Sequence, residues 1–188
     1  MNDENTAGWI LASISTAGAP ASLRVTVWRR LKELGALYLQ QSVCLLPSRA
    51  ATDRAVARLA ERIIQDGGTV RILHTSFPDP KEEAGLIEEL SNARNAEYSE
   101  VLERFPSFFA ELEAETARGR ATFEEVEESE ADLARFRTWL RKIAARDYFQ
   151  AEMGAQARAE LKRAEEALAA FSELAMAAEM PRESEQAE

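Results

Sequence analysis

Residues 36–47 read Ala-Leu-Tyr-Leu-Gln-Gln-Ser-Val-Cys-Leu-Leu-Pro, extended and apolar except where Gln40-Gln41-Ser42 interrupts them. This stretch is either one kinked strand or two strands meeting at the polar step. A helical pattern precedes it. Leu23, Val27, Leu31 and Leu34 recur at spacings of four, four and three, with Gly35 placed as C-cap of a helix over residues 22–34. A second helical pattern follows it over residues 52–65, with Val56, Leu59 and Ile63 on the stripe and Gly67-Gly68 as the stop. Farther out, Trp9 to Ile14 is a short apolar run closed by Thr16-Ala17-Gly18-Ala19-Pro20, which predicts a buried strand ending in a loop. Thr69 to Thr75 alternates weakly and predicts the next strand. Strand, helix, strand or strand pair, helix, strand favours a sheet with helices packed on one face. Its compact form is a ferredoxin-like βαββαβ unit.

After Pro78-Asp79-Pro80 the strand patterns stop. Residues 81–104 read as a helix, Pro106 opens another, and Gly119 breaks it. Thr122-Phe123-Glu124-Glu125 fits a capping box, so a long helix is expected from there to about Phe149. Gly154 marks a break, and Ala155 to Met180 forms a last helix. The expected class is α+β: a ferredoxin-like unit over residues 1–78, a helical extension over 79–180 packed on it, and a disordered acidic tail over 181–188.

Composition narrows the function. The 188 residues are 46% hydrophobic and 30% charged, enough for a real core and too apolar for general disorder. No run is long and apolar enough to span a bilayer, and the acidic start, with Asp3 and Glu4, is unlike a signal peptide. The expected compartment is the cytoplasm, with no membrane partner. Cys44 is the single cysteine, so no internal disulfide framework is expected, and His74 is the single histidine, which leaves little for a zinc site. No phosphate loop, serine elbow or cofactor motif is present, and an enzyme is the least favoured class.

The net charge of −10 hides an asymmetry. Residues 1–80 hold nine Lys/Arg against seven Asp/Glu, and residues 81–188 hold fourteen against twenty-six. The first cationic cluster is Arg24, Arg29, Arg30, Lys32 and Arg49, opposed locally by Glu33 alone. Guanidinium groups bind phosphates and other oxyanions through paired hydrogen bonds, so this set suits DNA or an oxyanion. The bland alternative is a solvated helix face. The second cluster is Arg135, Arg137, Arg141, Lys142 and Arg146, near Trp139 and off the buried stripe of Leu133, Phe136, Leu140 and Ile143. Ten acids from Glu103 to Asp132 are available to neutralise it. The acids of residues 124–132 diverge around a helix and read as a solvated face. Cys44 reads as a buried inert thiol, and His74 as a satisfied histidine.

Val27-Trp28-Arg29-Arg30-Leu31-Lys32-Glu33-Leu34-Gly35-Ala36-Leu37, continuing through Gln40-Gln41-Ser42-Val43 to Leu45-Leu46-Pro47, resembles the N-terminal domain of ChrB, the chromate-resistance regulator. Ala93-Arg94-Asn95-Ala96-Glu97-Tyr98, then Thr122-Phe123 with its acidic run, then Arg137-Thr138-Trp139-Leu140-Arg141-Lys142-Ile143 through Tyr148-Phe149 agree in the same order. The resemblance covers about residues 8–150. It implies a DNA-binding transcriptional regulator of chromate resistance that responds to an oxyanion. The region from Gly35 to Pro47 is also similar to the ferredoxin-like domain of PaaX-type repressors and of the small CRISPR adaptation nuclease, which implies a homodimer through sheet edges. Asn95 stands where the family pattern prefers Asp. Typical members continue into a second domain, so regulation without chromate sensing is also an expectation. The residues expected to meet DNA or oxyanion are Arg24, Arg29, Arg30, Lys32 and Arg49, with Arg141 and Arg146. The alternatives are direct chromate binding by the same arginines and a non-catalytic protein-interaction module.

Overall fold

The computed structural model describes residues 8–179, which form two compact units. In the first, β1 (Trp9–Ser15) leads into α1 (Ala21–Glu33), and the chain returns through β2 (Leu37–Gln40) and β3 (Val43–Pro47). The polar step is therefore a turn between two strands. Then come α2 (Ala50–Gln65) and β4 (Thr69–Thr75). The sheet order is β2-β3-β1-β4, antiparallel at every pairing, which is the ferredoxin-like arrangement.

Alternation in the strands separates two cores. Ile10, Ala12, Cys44 and Leu46 point to one face and meet Leu23, Val27 and Leu31 of α1 and Val56, Leu59 and Ile63 of α2. Trp9, Leu11 and Leu45 point to the other face. α3 (Pro80–Leu102) begins in this unit, and its Leu86, Ile87 and Leu90 cover Trp9 and Leu45. Trp9 is fully buried, and its Nε1–H donates to Glu83 at 2.8 Å. Burial of a side chain this size contributes about 3 kcal/mol.

The sheet unit thus reaches past residue 78: it holds residues up to Ser91 and regains 145–149. The returning segment is fixed by two long-range contacts. The Tyr148 hydroxyl donates to the Leu34 carbonyl at 2.7 Å, and Phe149 stacks on Trp9 at 5.9 Å. Leu34 accepts that bond at the end of α1, where Gly35 takes the left-handed φ of 68° expected of a C-cap glycine.

The second unit contains the rest of α3, then α4 (Phe105–Ala117), α5 (Phe123–Ala144) and α6 (Met153–Glu179). Its core gathers Tyr98, Val101, Phe105, Phe108, Leu140 and Ile143 against Ala157, Ala164, Leu168 and Phe171. The Glu125 N–H donates to the Thr122 hydroxyl at 3.4 Å, the Thr half of the expected capping box. α5 stops at Ala144, short of the expected Phe149, because Tyr148 and Phe149 take the contacts just described. The expected break precedes the last helix, over residues 145–152, just before Gly154. Gly154 lies in the first turn of α6, where an added Cβ would stand 3.1 Å from the Tyr98 ring. The helix therefore starts at Met153, whose N–H donates to Asn95 Oδ1 at 3.0 Å. The tail over 181–188 lies outside the described residues.

Candidate anion-binding surface

On α1, the buried stripe Leu23-Val27-Leu31 fixes where every other side chain points. Arg24, Trp28 and Lys32 follow one another at intervals of four and form a ridge. Val25 and Arg29 form the next row, on the outermost face. All five are exposed: Trp28 keeps 51% of its surface in water and Val25 46%. The Lys32 ammonium lies 5.3 Å from the centre of the Trp28 ring, a cation–π contact at the surface. Arg24 and Arg29 have no ion-pair or hydrogen-bond partner among the described residues. An exposed tryptophan ringed by unneutralised cations suits an anionic partner with a flat or apolar component.

Arg30 does not join this group. Six residues from Arg24, it projects from the opposite flank of α1 and is bound to Glu33 at 2.7 Å. That flank borders a cleft of about 620 Å³ between α1 and α2, lined by Thr26, Arg30, Glu33, Arg58, Glu61 and Arg62. Arg62 is held by Asp66 at 2.7 Å, and that bond raises its pKa further. The cleft therefore has three guanidinium groups but little surplus charge, with Arg58 the one lacking a partner among the described residues. Arg49 opens α2 at the end of the sheet where Trp9 pairs with Pro47, whereas Arg24 lies near the end where β1 finishes. Arg49 is exposed and has no side-chain partner among the described residues.

Arg146 belongs to the segment 145–149 of the first unit; it is half-buried and already engaged. Arg141 belongs to the second unit, exposed in the last turn of α5. Its neighbours there are mostly neutralised. Arg135 pairs with Asp132 one turn earlier, Arg137 binds Glu165 of α6 at 2.7 Å, and Lys142 is engaged. Of the carboxylates that hold Arg135 and Arg137, Asp132 is one of the ten acids from Glu103 to Asp132, and Glu165 comes from α6.

The strands carry the single cysteine and the single histidine, Cys44 and His74. Burial pushes the Cys44 thiol up to about 11, so it stays protonated at neutral pH. His74 is exposed, with Nδ1 3.9 Å from Asp53, which accepts a hydrogen bond from the Ser48 hydroxyl at 3.0 Å. Among the described residues no three His, Cys, Asp or Glu side chains converge to hold a metal ion. No helix there is long and apolar enough to cross a membrane.

The sequence clusters above leave out Trp28, Val25 and Arg58. Trp28 was detectable as a large apolar residue off the stripe, four residues from both Arg24 and Lys32. Arg58 needed the packing of α1 beside α2 to be noticed.

Comparison with known proteins adds a family. The model of the family described as Protein ChrB, N-terminal, matches residues 24–182. A protein named Protein ChrB from Cupriavidus metallidurans is 28% identical over 156 residues, which cover 82% of this chain and 44% of that protein. The chain spans less than half the length of that relative.

Proposed function

The chain belongs to the ChrB N-terminal family, which is associated with chromate resistance, and from that premise we propose that it is a DNA-binding transcriptional regulator. It works in the cytoplasm as a homodimer, has no catalytic activity, and responds to chromate or a similar oxyanion. The observation that carries this reading is the set of unneutralised Arg24 and Arg29 with Lys32 around half-exposed Trp28 on α1. Phosphate contacts from these cations position the protein on a duplex, and the tryptophan supplies a surface that packs against sugar or base.

The test is fluorescence anisotropy with DNA from upstream of the gene, over a salt series. Binding should weaken linearly in log–log form as salt rises, with a slope close to the number of phosphates met. Trp28 emission should change on binding. Affinity independent of salt would sink the proposal.

A second reading is direct oxyanion binding in the α1–α2 cleft, supported by the free guanidinium of Arg58. There, chromate would raise the melting temperature at constant ionic strength while chloride would not. The carboxylates of Glu33 and Glu61 in the same cleft favour the α1 surface instead.

A further inference from the structure

The two edges of the sheet differ. β2 is four residues long and its pairing with β3 shifts register between Tyr38 and Gln40, an irregularity that blunts an edge. β4 is seven residues long and pairs with β1 without interruption, from Thr69 opposite Ser15 to Thr75 opposite Trp9. Its outer side faces no strand, and among the described residues no other backbone hydrogen bond reaches it. The usual protections are sparse here: no proline, no bulge, and only Arg71 and His74 as polar blocks.

Each face of this edge exposes one large apolar side chain among polar ones. Ile72 is 36% exposed on the helix-bearing face and Leu73 53% exposed on the other. The flank of α2 beside β4 is marked by Asp53, which approaches His74. Ala57, Ala60 and Ile64 follow Asp53 on that flank at helical spacing, and Ile64 is 62% exposed. Two small residues and one large apolar residue leave room for another helix to come close.

We propose that the β4 edge pairs antiparallel with the β4 edge of a second copy about a two-fold axis at Ile72, making one continuous eight-stranded sheet. The strand is self-compatible in that register. Ile72 meets its own copy, Val70 meets His74, Arg71 meets Leu73 and Thr69 meets Thr75, so no cation directly opposes a cation. A two-fold contact requires one patch to complement itself, and an unpaired backbone edge of alternating donors and acceptors does so. This deepens the homodimer proposed above by naming its interface, and the pairing itself does not depend on DNA.

The test is sedimentation velocity of the full chain over a concentration series without DNA. Wild type should form a dimer. Ile72→Lys, which sets two ammonium groups on the axis, should raise the dissociation constant about tenfold or more with unchanged circular dichroism. Leu39→Lys, on the β2 edge, should leave the dimer intact. Ile72→Cys should give a disulfide-linked dimer on mild oxidation, while wild type, whose Cys44 is buried, should not. A monomeric wild type would overturn the proposal, as would a dimer indifferent to a folded Ile72→Lys or an Ile72→Cys chain that never cross-links. A chain that dimerises as described but ignores DNA would sink the regulator reading and leave the interface standing.

Discussion

On α1, Arg24 and Arg29 are exposed and have no acid partner among the described residues, whereas on α5 Arg135 and Arg137 are each held by a carboxylate, from Asp132 and Glu165. Both helices carry basic runs beside a tryptophan. The difference lies in what stands one turn away or on the packed neighbour. α1 itself carries a single acid, Glu33, and it is taken by Arg30 on the opposite flank. α5 has acids in its own first turns and more on α6. A cation neutralised inside the fold has less to offer a phosphate, so clusters of equal size are expected to differ in anion affinity.

The sharpest way to break this comparison is to strip each helix of its pair of arginines and measure DNA affinity. Arg24→Ala with Arg29→Ala should weaken binding roughly 10- to 100-fold and lower the salt slope by about 2, one per lost phosphate contact. Arg135→Ala with Arg137→Ala should leave both quantities unchanged. Equal losses from the two pairs would show that pairing within the fold does not decide which cations are used.

Cys44 sharpens the contrast between buried and exposed titratable groups in the first unit. Its pKa moves from the ordinary 9.0 to about 11 through burial. Between those values the folded state holds a proton that the unfolded chain has released, so stability falls as pH rises through that window. The loss is at most about 1.4 kcal/mol per pH unit. Urea titrations from pH 8 to 11 should show this slope in the wild type and a flatter one in Cys44→Ala. The same slope in both would mean that another group is responsible.

How much of this was readable beforehand depends on whether the deciding contacts were local. The stripe of α1 and the stop at Gly35 follow from spacing and backbone chemistry within thirteen residues, and both were legible. The stretch 36–47 was ambiguous because a kinked strand and a two-residue turn share the pattern; only pairing with β1 and β2 resolves it. The end of α5 was not legible at all. Helical periodicity continues toward Phe149, but Tyr148 is bonded to a carbonyl 114 residues earlier and Phe149 stacks on Trp9. Arg24 and Arg30 are both basic and near in sequence, but six residues of helix put them on opposite flanks of the buried stripe, with Arg30 toward the α1–α2 cleft. The break before the last helix was legible near Gly154, but the packing of that glycine against the Tyr98 ring in the second unit's core was not.

Asn95 tests whether polar groups of the second unit serve structure rather than ligand. Its side-chain oxygen satisfies the N–H of Met153, one of the orphan donors at the start of α6. Asn95→Ala should cost about 1 kcal/mol in a denaturant titration, with DNA affinity unchanged. Asn95→Asp should match or slightly exceed the wild type, because a carboxylate accepts the same bond and also favours a helix N-terminus.

The smallest effect belongs to Arg137. Its bond to Glu165 is short at 2.7 Å, yet both side chains keep about half their surface in water, at 52% and 40%. Exposed pairs of this kind contribute about 0.2–1 kcal/mol, because water screens the attraction and two long side chains lose rotamer freedom. Arg137→Ala should therefore lower stability by no more than that, and the deficit should shrink at high salt. The informative variant is Glu165→Ala, which frees Arg137 without removing it. If neutralisation is what silences the α5 cluster, freeing Arg137 should add weak, salt-sensitive DNA binding that the Arg137→Ala, Glu165→Ala double variant lacks. If Glu165→Ala changes stability alone, the α5 face has the wrong shape or position for a duplex, and charge pairing is not the reason it stays silent.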